Sequence, residues 1–131
     1  MTKEQYEYLA KQIFESALEV HKIMGPGLLE SVYEYCLWKE LNMRGVFAER
    51  QVPVPLFYKN EDLGKEYRID ILVEKEIIIE LKVAESITPL YEAQIISYLK
   101  LTDKKMGFLI NFNTPLLKQG FRRFVNGYFV A

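Results

Sequence analysis

Charged residues interrupt the apolar segment DILVEKEIIIELK, which covers residues 70–82. The segment predicts two strands joined by a charged turn, because apolar and β-branched residues dominate on both sides of 74–76. A three-residue turn at 74–76 places Asp70 opposite Glu80, so that their carboxylates share one face. A two-residue turn would shift the register and separate them. No Asn-Gly or Asp-Gly pair marks such a tight turn, and we therefore predict the longer one.

This register divides the two strands between a mixed face and an apolar face, because side chains alternate along a strand. The predicted mixed face consists of Asp70, Leu72, Ile78, Glu80 and Lys82. The predicted apolar face, which must be core, consists of Ile69, Ile71, Val73, Ile77, Ile79 and Leu81.

The mixed face could carry out phosphodiester hydrolysis. Two carboxylates at ~4 Å repel by about 4 kcal/mol at an effective dielectric constant near 20. Lys82 offsets part of this repulsion, and a divalent cation bound by Asp70 and Glu80 would offset the rest. Such a metal activates water and polarises a phosphate, while the lysine steadies the water or the developing charge. The alternative is a solvated ion-pair cluster on an exposed sheet face, which a pattern this short leaves open.

Periodicity predicts the elements that must position these residues. Gly25, Pro26 and Gly27 separate the first two helices, and Thr88 with Pro89 begins the third. The predicted elements are helices at 3–22 and 28–43, strands at 52–58, 65–73 and 77–83, a turn at 60–66, a helix from 89, a strand within 104–113, and a tail with one or two short elements.

The position of two strands in the sheet also follows from composition. Pro53 and Pro55 lack N–H donors, so the strand at 52–58 is predicted to lie at an edge. The strand within 104–113 is too apolar to be half-solvated and is predicted to be central. The fold class is therefore α/β, a mixed sheet flanked by helices.

The length, charge and cysteine content of the chain exclude several classes of protein. The 131 residues predict one domain, 1–131, with a formal net charge of −1. A protein held to a polyanion by charge alone would be basic, so nucleic-acid contact must be local or aided by cations. Cys36 is the only cysteine, which excludes an intrachain disulfide and fits a reducing cytoplasm. We see no signal-peptide core and no bilayer-spanning run, and expect no membrane partner.

Three motifs give the chain a specific resemblance. The first is GLLESVY, of the form G-x-x-E-x-x-Y, at the start of the second helix. The second is YRIDILVEKEIIIELK, and the third combines QIISYLKLT, MGFLINF and LLKQGFRRFVN. Together they resemble the GxxExxY family of the PD-(D/E)xK nuclease superfamily over about residues 8–126. The resemblance implies a restriction-endonuclease-like fold.

The resemblance also implies the roles of individual residues. Glu30 would complete the metal site through water, and Asp70 and Glu80 would be direct ligands, with the Leu81 carbonyl as an extra ligand. The metal would be Mg²⁺ or Mn²⁺, because all the side-chain ligands are oxygen. The residues expected in catalysis are Glu30, Asp70, Glu80, Lys82 and Gln94, and Tyr98 is expected to bind substrate.

The expected function is therefore a divalent-metal-dependent nuclease acting on DNA, with RNA as the second choice. Arg122 and Arg123 would contact substrate phosphates, although solvated surface charge is the simpler reading of both. A homodimer is an open option, because many small nucleases cut two strands as dimers. The first alternative is a nuclease-like binding or partner module without turnover. The second is a structural protein whose acids are merely solvated.

Four further residues receive structural interpretations. Glu34 lies four residues after Glu30, so the two could form only the solvated face of a helix. Tyr33 is expected to pack or to form hydrogen bonds. His21 is expected to form a structural hydrogen bond or to complement a helix end rather than to act as a base. Cys36 is expected to behave as a small buried hydrophobe.

Overall fold

A computed structural model describes residues 1–127, which form a five-stranded mixed sheet with helices on both faces. The elements are α1 (Lys3–Met24), α2 (Glu30–Met43), β1 (Ala48–Tyr58), β2 (Glu61–Val73), β3 (Ile77–Lys82), α3 (Pro89–Thr102), β4 (Met106–Asn111), a 3₁₀ turn (Leu117–Gly120) and β5 (Phe121–Val125). The strand order is β1-β2-β3-β4-β5, and only β3 and β4 pair in parallel. The predicted mixed sheet flanked by helices is confirmed. The last part of the predicted tail, 128–131, lies outside the described residues.

Two apolar clusters cover the two faces of the sheet. Helices α1 and α2 pack on one face, which we call the α1/α2 face, and α3 packs on the other, the α3 face. Fully buried side chains on the α1/α2 face include Ile13, Ala17, Leu37, Leu41, Ile77 and Ile79. Burying each of the larger ones contributes roughly 1.5–3 kcal/mol, so the sheet is a rigid base for side chains at its edges.

The predicted turn between β2 and β3 is confirmed. Val73 pairs with Ile77, and the turn between them occupies 74–76. Glu74 and Lys75 adopt positive φ angles of 50° and 59°, which lets three residues reverse the chain. The register is therefore the one that brings Asp70 towards Glu80.

Ile69 lies on the α3 face, so the prediction that it shares a face with Ile71 is wrong. It packs with Tyr67 in the α3-face cluster, whereas Ile71 lies in the α1/α2-face cluster. Regular alternation would have kept Ile69 and Ile71 together. The alternation breaks because β2 pairs with β3 no further than Ile71, and because Gln51 on β1, opposite Asp70, adopts a φ of 52°.

The turn between β1 and β2 is much tighter than the predicted turn at 60–66. Lys59 and Asn60 form it with φ angles of 50° and 64°, as a two-residue hairpin turn requires. Strand β2 therefore begins at Glu61 rather than at 65. Within the predicted turn segment the pairing of β1 with β2 shifts register between Pro55 and Phe57, and there Gly64 takes a φ of 65° and donates its N–H to Asp62 Oδ1 at 2.8 Å.

The predicted positions of two strands are confirmed. Within residues 1–127, strand β1, which contains Pro53 and Pro55, pairs only with β2 and is an edge strand. Strand β4 lies between β3 and β5, and all six of its residues are buried. Helix α3 has the predicted cap, since Thr88 Oγ1 accepts the Tyr91 N–H at 3.2 Å. Among residues 1–127, no helix has the length and apolarity that a membrane span requires.

Two residues outside the catalytic proposal have structural roles. His21 Nε2 lies 2.8 Å from the Thr114 carbonyl oxygen, which agrees with the expected structural hydrogen bond. Cys36 is half-buried and packs against the α1/α2-face cluster, so it is less enclosed than expected.

Candidate active site

Asp70 and Glu80 meet where β2 and β3 separate. Strand pairing stops at Ile71 and Ile79, and beyond it Asp70 Oδ2 accepts the Leu81 N–H at 2.8 Å. The side chain of Asp70 thus satisfies a backbone donor that the partner strand no longer reaches. Glu80 Oε2 accepts a hydrogen bond of 3.2 Å from the Tyr67 hydroxyl.

Helix α2 adds two further acids to this point. Glu30 is its first residue, and Glu34 follows one turn later. Gln51 Nε2 joins the helix to the sheet, since it lies 2.5 Å from Glu34 Oε1 and 3.5 Å from Asp70 Oδ1. The charge of Asp70 acts on Glu30, Glu34 and Glu80, so four carboxylates from α2, β2 and β3 lie in one neighbourhood.

Tyr33 explains how the Gly-Pro-Gly break places Glu30. Its hydroxyl donates to the Gly25 carbonyl and accepts the Leu28 N–H at 3.1 Å. Its ring stacks on Phe112 with centroids 4.5 Å apart. Gly25 has a φ of 71°, which disfavours other residues there. Because Tyr33 is three residues after Glu30, it ties the loop to the first turn of α2 and confirms the structural role predicted for it.

The crowding of the acids appears in their pKa values. Burial, the charge of Asp70 and a hydrogen bond with Asp70 raise the pKa of Glu80 to about 8, while Lys82 and Tyr67 oppose the shift. Burial followed by the charge of Asp70 raises the pKa of Glu30. Burial also raises the pKa of Glu34, although its hydrogen bond with Gln51 and the charge of Arg50 partly offset this effect. Perturbed carboxylates held together are typical of functional sites.

Lys82 and two tyrosines line the α3 side of the site. Lys82 Nζ lies 4.5 Å from the centroid of the Tyr91 ring, near the start of α3. Tyr98 stacks on Tyr67, with centroids 3.6 Å apart and planes 7° apart. Tyr98 therefore reaches Glu80 only through Tyr67. Burial, followed by the charges of Glu80 and Asp70, raises the pKa of Tyr67, which keeps its hydroxyl protonated as a donor.

Gln94 shares a face of α3 with Tyr91 and Tyr98, because residues three and four apart on a helix are neighbours. Its side chain is half-buried. Gln94 therefore lies on the helix face that carries Tyr91 and Tyr98, and its role in catalysis stays a prediction.

The two arginines of β5, Arg122 and Arg123, lie on opposite faces of the sheet. Arg122 pairs with Leu109, and Leu109 pairs with Glu80, so the three residues lie side by side on the α3 face. Arg122 and Glu80 are therefore separated by two strand spacings, or roughly 10 Å. Its guanidinium donates to the Gln119 carbonyl at 3.1 Å. Arg123 points to the α1/α2 face and pairs with Glu7 of α1. The structure therefore does not bring Arg123 to the acids.

The sequence did not predict that Glu34, Tyr67 and Gln51 belong to the site. Glu34 could have been found, because it follows Glu30 by one helical turn on the same face. Tyr67 precedes Asp70 by three residues, a spacing that a regular strand would place on the other face. Gln51 carries no signal in the sequence, since its contact depends on the positive φ of its own backbone.

The donor chemistry of this site fits a hard divalent cation, because Asp70 and Glu80 supply oxygens in mutual contact. Among the described residues, no group of three or more His, Cys, Asp or Glu side chains has the geometry to hold a metal ion. Asp70 and Glu80 would thus be the direct side-chain ligands, and Glu30 and Glu34 fit better as outer groups acting through water.

Glu80 makes the stability of the metal-free protein depend on pH. Unfolded Glu80 loses its proton near its ordinary pKa of 4.5, whereas the folded protein holds it up to about pH 8. The folded state binds more protons in this range, so the free energy of unfolding should fall as pH rises, by up to ~1.4 kcal/mol per pH unit. Urea denaturation in EDTA at pH 5, 6, 7 and 8 measures this slope. Glu80→Gln should flatten it, and an unchanged slope in that variant would exclude Glu80 as its source.

Comparison with known proteins places the chain in a family. The sequence profile described as PD-(D/E)XK nuclease superfamily matches residues 7–124. The search of curated proteins and the search of solved structures found no match. The match spans Glu30, Asp70, Glu80 and Lys82, and it agrees with a mixed sheet flanked by helices. The fold is restriction-endonuclease-like, and the chain belongs to the PD-(D/E)XK nuclease superfamily.

Proposed function

We propose that the protein is a divalent-metal-dependent nuclease that hydrolyses phosphodiester bonds of DNA, with RNA as the second substrate. One observation carries the proposal. Asp70 and Glu80 are in contact where two strands separate, and burial together with the charge of Asp70 raises the pKa of Glu80 to about 8. A group that needs an external charge to ionise at neutral pH is suited to receive a metal.

The residues around this pair have distinct tasks in the proposed mechanism. Asp70 and Glu80 hold Mg²⁺ or Mn²⁺, with Glu30 acting through water and the Leu81 carbonyl as an extra ligand. When bound, the metal supplies an activated water and stabilises charge on the phosphate. The hydrogen bond from Leu81 N–H fixes the Asp70 carboxylate, so this ligand is oriented before the metal arrives.

Lys82 orients the attacking water or stabilises the charge that develops on the phosphate oxygens. Its ammonium group lies over the Tyr91 ring, a cation–π contact that holds the lysine on the α3 side of the site. Gln94, on the same helix face as Tyr91, is proposed to position the substrate or the water. Tyr98 is proposed to support substrate binding by stacking behind Tyr67. Arg122 remains the candidate for a more distant phosphate contact.

A second candidate function is a binding module without turnover. One oxygen of Asp70 already accepts the Leu81 N–H. Among residues 1–127, no three acidic side chains are grouped closely enough to hold a metal ion, which favours a module that does not cleave. Incubation of the protein with labelled single-stranded and double-stranded DNA in Mn²⁺ decides between the two. Cleavage that depends on Glu80 supports the nuclease, and binding without any cleavage supports the module.

A metal at this site should stabilise the folded protein. At a free Mn²⁺ concentration about 100 times Kd, mass action adds ~2.7 kcal/mol, or about 10 °C in Tm for a domain of this size. Glu80→Gln should lose this shift because a neutral amide is a poor ligand for a hard cation. Thermal melting of both proteins in EDTA and in Mn²⁺ measures the effect.

Glu61→Gln provides the matched control, because Glu61 is an exposed acid at the tip of the β1–β2 hairpin. This control should keep the full shift in Tm. Equal shifts in the wild type and in Glu80→Gln would place the metal elsewhere, and no shift in the wild type would contradict the proposed cofactor.

A further inference from the structure

Next to the acids, α2 and β1 carry a cluster of aromatic and cationic side chains. The Arg50 guanidinium carbon lies 5.2 Å from the centroid of the Tyr35 ring and 4.7 Å from that of Trp38. The two rings are 5.6 Å apart. Lys39 Nζ lies 5.9 Å from the Tyr35 centroid. We call these residues, Tyr35, Trp38, Lys39 and Arg50, the aromatic patch.

The patch is held in place and yet accessible. The Trp38 indole N–H donates to the Ala48 carbonyl at 2.9 Å, which fixes the ring on the end of β1. Tyr35 is 46% exposed. An open cleft of about 370 Å³ lies beside it, lined by Tyr35, Trp38, Lys39, Asn42 and Met43. Trp38 is half-buried against the α1/α2-face cluster, so the patch offers mainly the Tyr35 ring and the positive charges of Lys39 and Arg50 to solvent.

The patch is continuous with the candidate active site. Arg50 Nη1 lies 4.0 Å from Glu34 Oε2, and Glu34 shares Gln51 with Asp70. A polymer passing over Asp70 and Glu80 would therefore meet Arg50 directly beyond them.

We propose that the aromatic patch binds an unpaired stretch of the nucleic acid that the active site cleaves, an inference that rests on the proposed function. Unpaired bases stack on aromatic rings and on guanidinium planes, and nearby cations contact the phosphates. Bases inside a duplex are already stacked on both sides and cannot use these surfaces. With a net charge of −1, the chain lacks the overall positive charge that duplex binding by electrostatics would require. The substrate class is thus nucleic acid with a single-stranded segment.

Trp38 allows a direct test, because it is the only tryptophan in the chain. Titration of single-stranded DNA oligonucleotides in EDTA should quench its fluorescence, since a base stacks on the patch without cleavage. A blunt duplex of the same sequence should bind at least about tenfold more weakly. Tyr35→Ala should weaken single-strand binding by about tenfold, equivalent to ~1.4 kcal/mol. Tyr8→Ala, which removes an exposed tyrosine of α1, should leave the affinity unchanged.

The possible outcomes separate this inference from the nuclease proposal. If DNA quenches Trp38 fluorescence in EDTA but is not cleaved in Mn²⁺, the binding role of the patch is supported and the nuclease proposal is wrong. If an oligonucleotide is cleaved in Mn²⁺ but does not quench Trp38 fluorescence, the binding role of the patch is wrong and the nuclease proposal is supported. If Tyr35→Ala instead dissociates a dimer in size-exclusion chromatography and leaves DNA affinity unchanged, the surface joins two copies of the chain and the inference is wrong.

Discussion

Lys82→Ala is expected to lower the rate of DNA cleavage by about 10²- to 10³-fold while leaving Mn²⁺ binding largely in place. The expected loss matches that found when one donor to a developing negative charge is removed. Metal binding should survive because Asp70 and Glu80, the proposed ligands, are untouched. Single-turnover cleavage assays measure the first effect, and the shift of Tm in Mn²⁺ measures the second.

Lys100→Ala is the matched control for this variant, because Lys100 is an exposed lysine of α3. It should cleave at the rate of the wild type. Cleavage that survives Lys82→Ala would remove the lysine from the mechanism. Loss of the Mn²⁺-dependent shift in Lys82→Ala would mean that the substitution had disturbed the carboxylates rather than the chemistry.

The second large effect concerns Asp70, where two substitutions should both stop cleavage but only one of them should lower stability. Asp70→Asn keeps an oxygen that can accept the Leu81 N–H and removes the charge that, after burial, does most to raise the pKa of Glu80. In EDTA at pH 7, its free energy of unfolding should equal that of the wild type or exceed it by about 1 kcal/mol. Asp70→Ala leaves the buried Leu81 N–H without its acceptor and should cost ~1–3 kcal/mol.

Urea denaturation in EDTA gives the two stabilities, and cleavage in Mn²⁺ gives the two activities. Both variants should cleave at the background rate, because both lack a carboxylate ligand. Clear destabilisation of Asp70→Asn in EDTA would show that the negative charge of Asp70 is structural, and residual cleavage in either variant would show that it is not a required ligand.

The sequence predicted the strand register at the site because a strongly apolar hairpin tolerates few alternatives. Only the turn at 74–76 puts the apolar residues on core faces and brings Asp70 to Glu80. The edge position of β1 followed from two prolines, and the central position of β4 followed from an unbroken apolar run. These features depend on side-chain period and on missing donors, and both are local properties of the sequence.

The parts that the sequence did not predict depend on backbone irregularities. Ile69 changed faces because alternation breaks at Asp70, and Gln51 reached the acids through a positive φ that glutamine rarely adopts. The early start of β2 required Lys59 and Asn60 in the left-handed region, without the glycine that usually signals such a turn. Glu34 was visible as the neighbour of Glu30, but only the packing of α2 against β1 shows that Gln51 connects Glu34 to Asp70.

The two edge strands of the sheet, β1 and β5, limit the ways in which copies of this chain could associate. Pro53 and Pro55 remove two donors from the outer strand β1, and β5, the outer strand on the other side within residues 1–127, carries Arg122 and Arg123. Backbone pairing of two copies into one continuous ten-stranded sheet is disfavoured at β1 by the missing donors and at β5 by the exposed charged side chains, a feature that natural edge strands use against such pairing. A two-fold assembly that cuts both strands of DNA would have to form through side chains, with its hydrogen-bonded sheets kept separate.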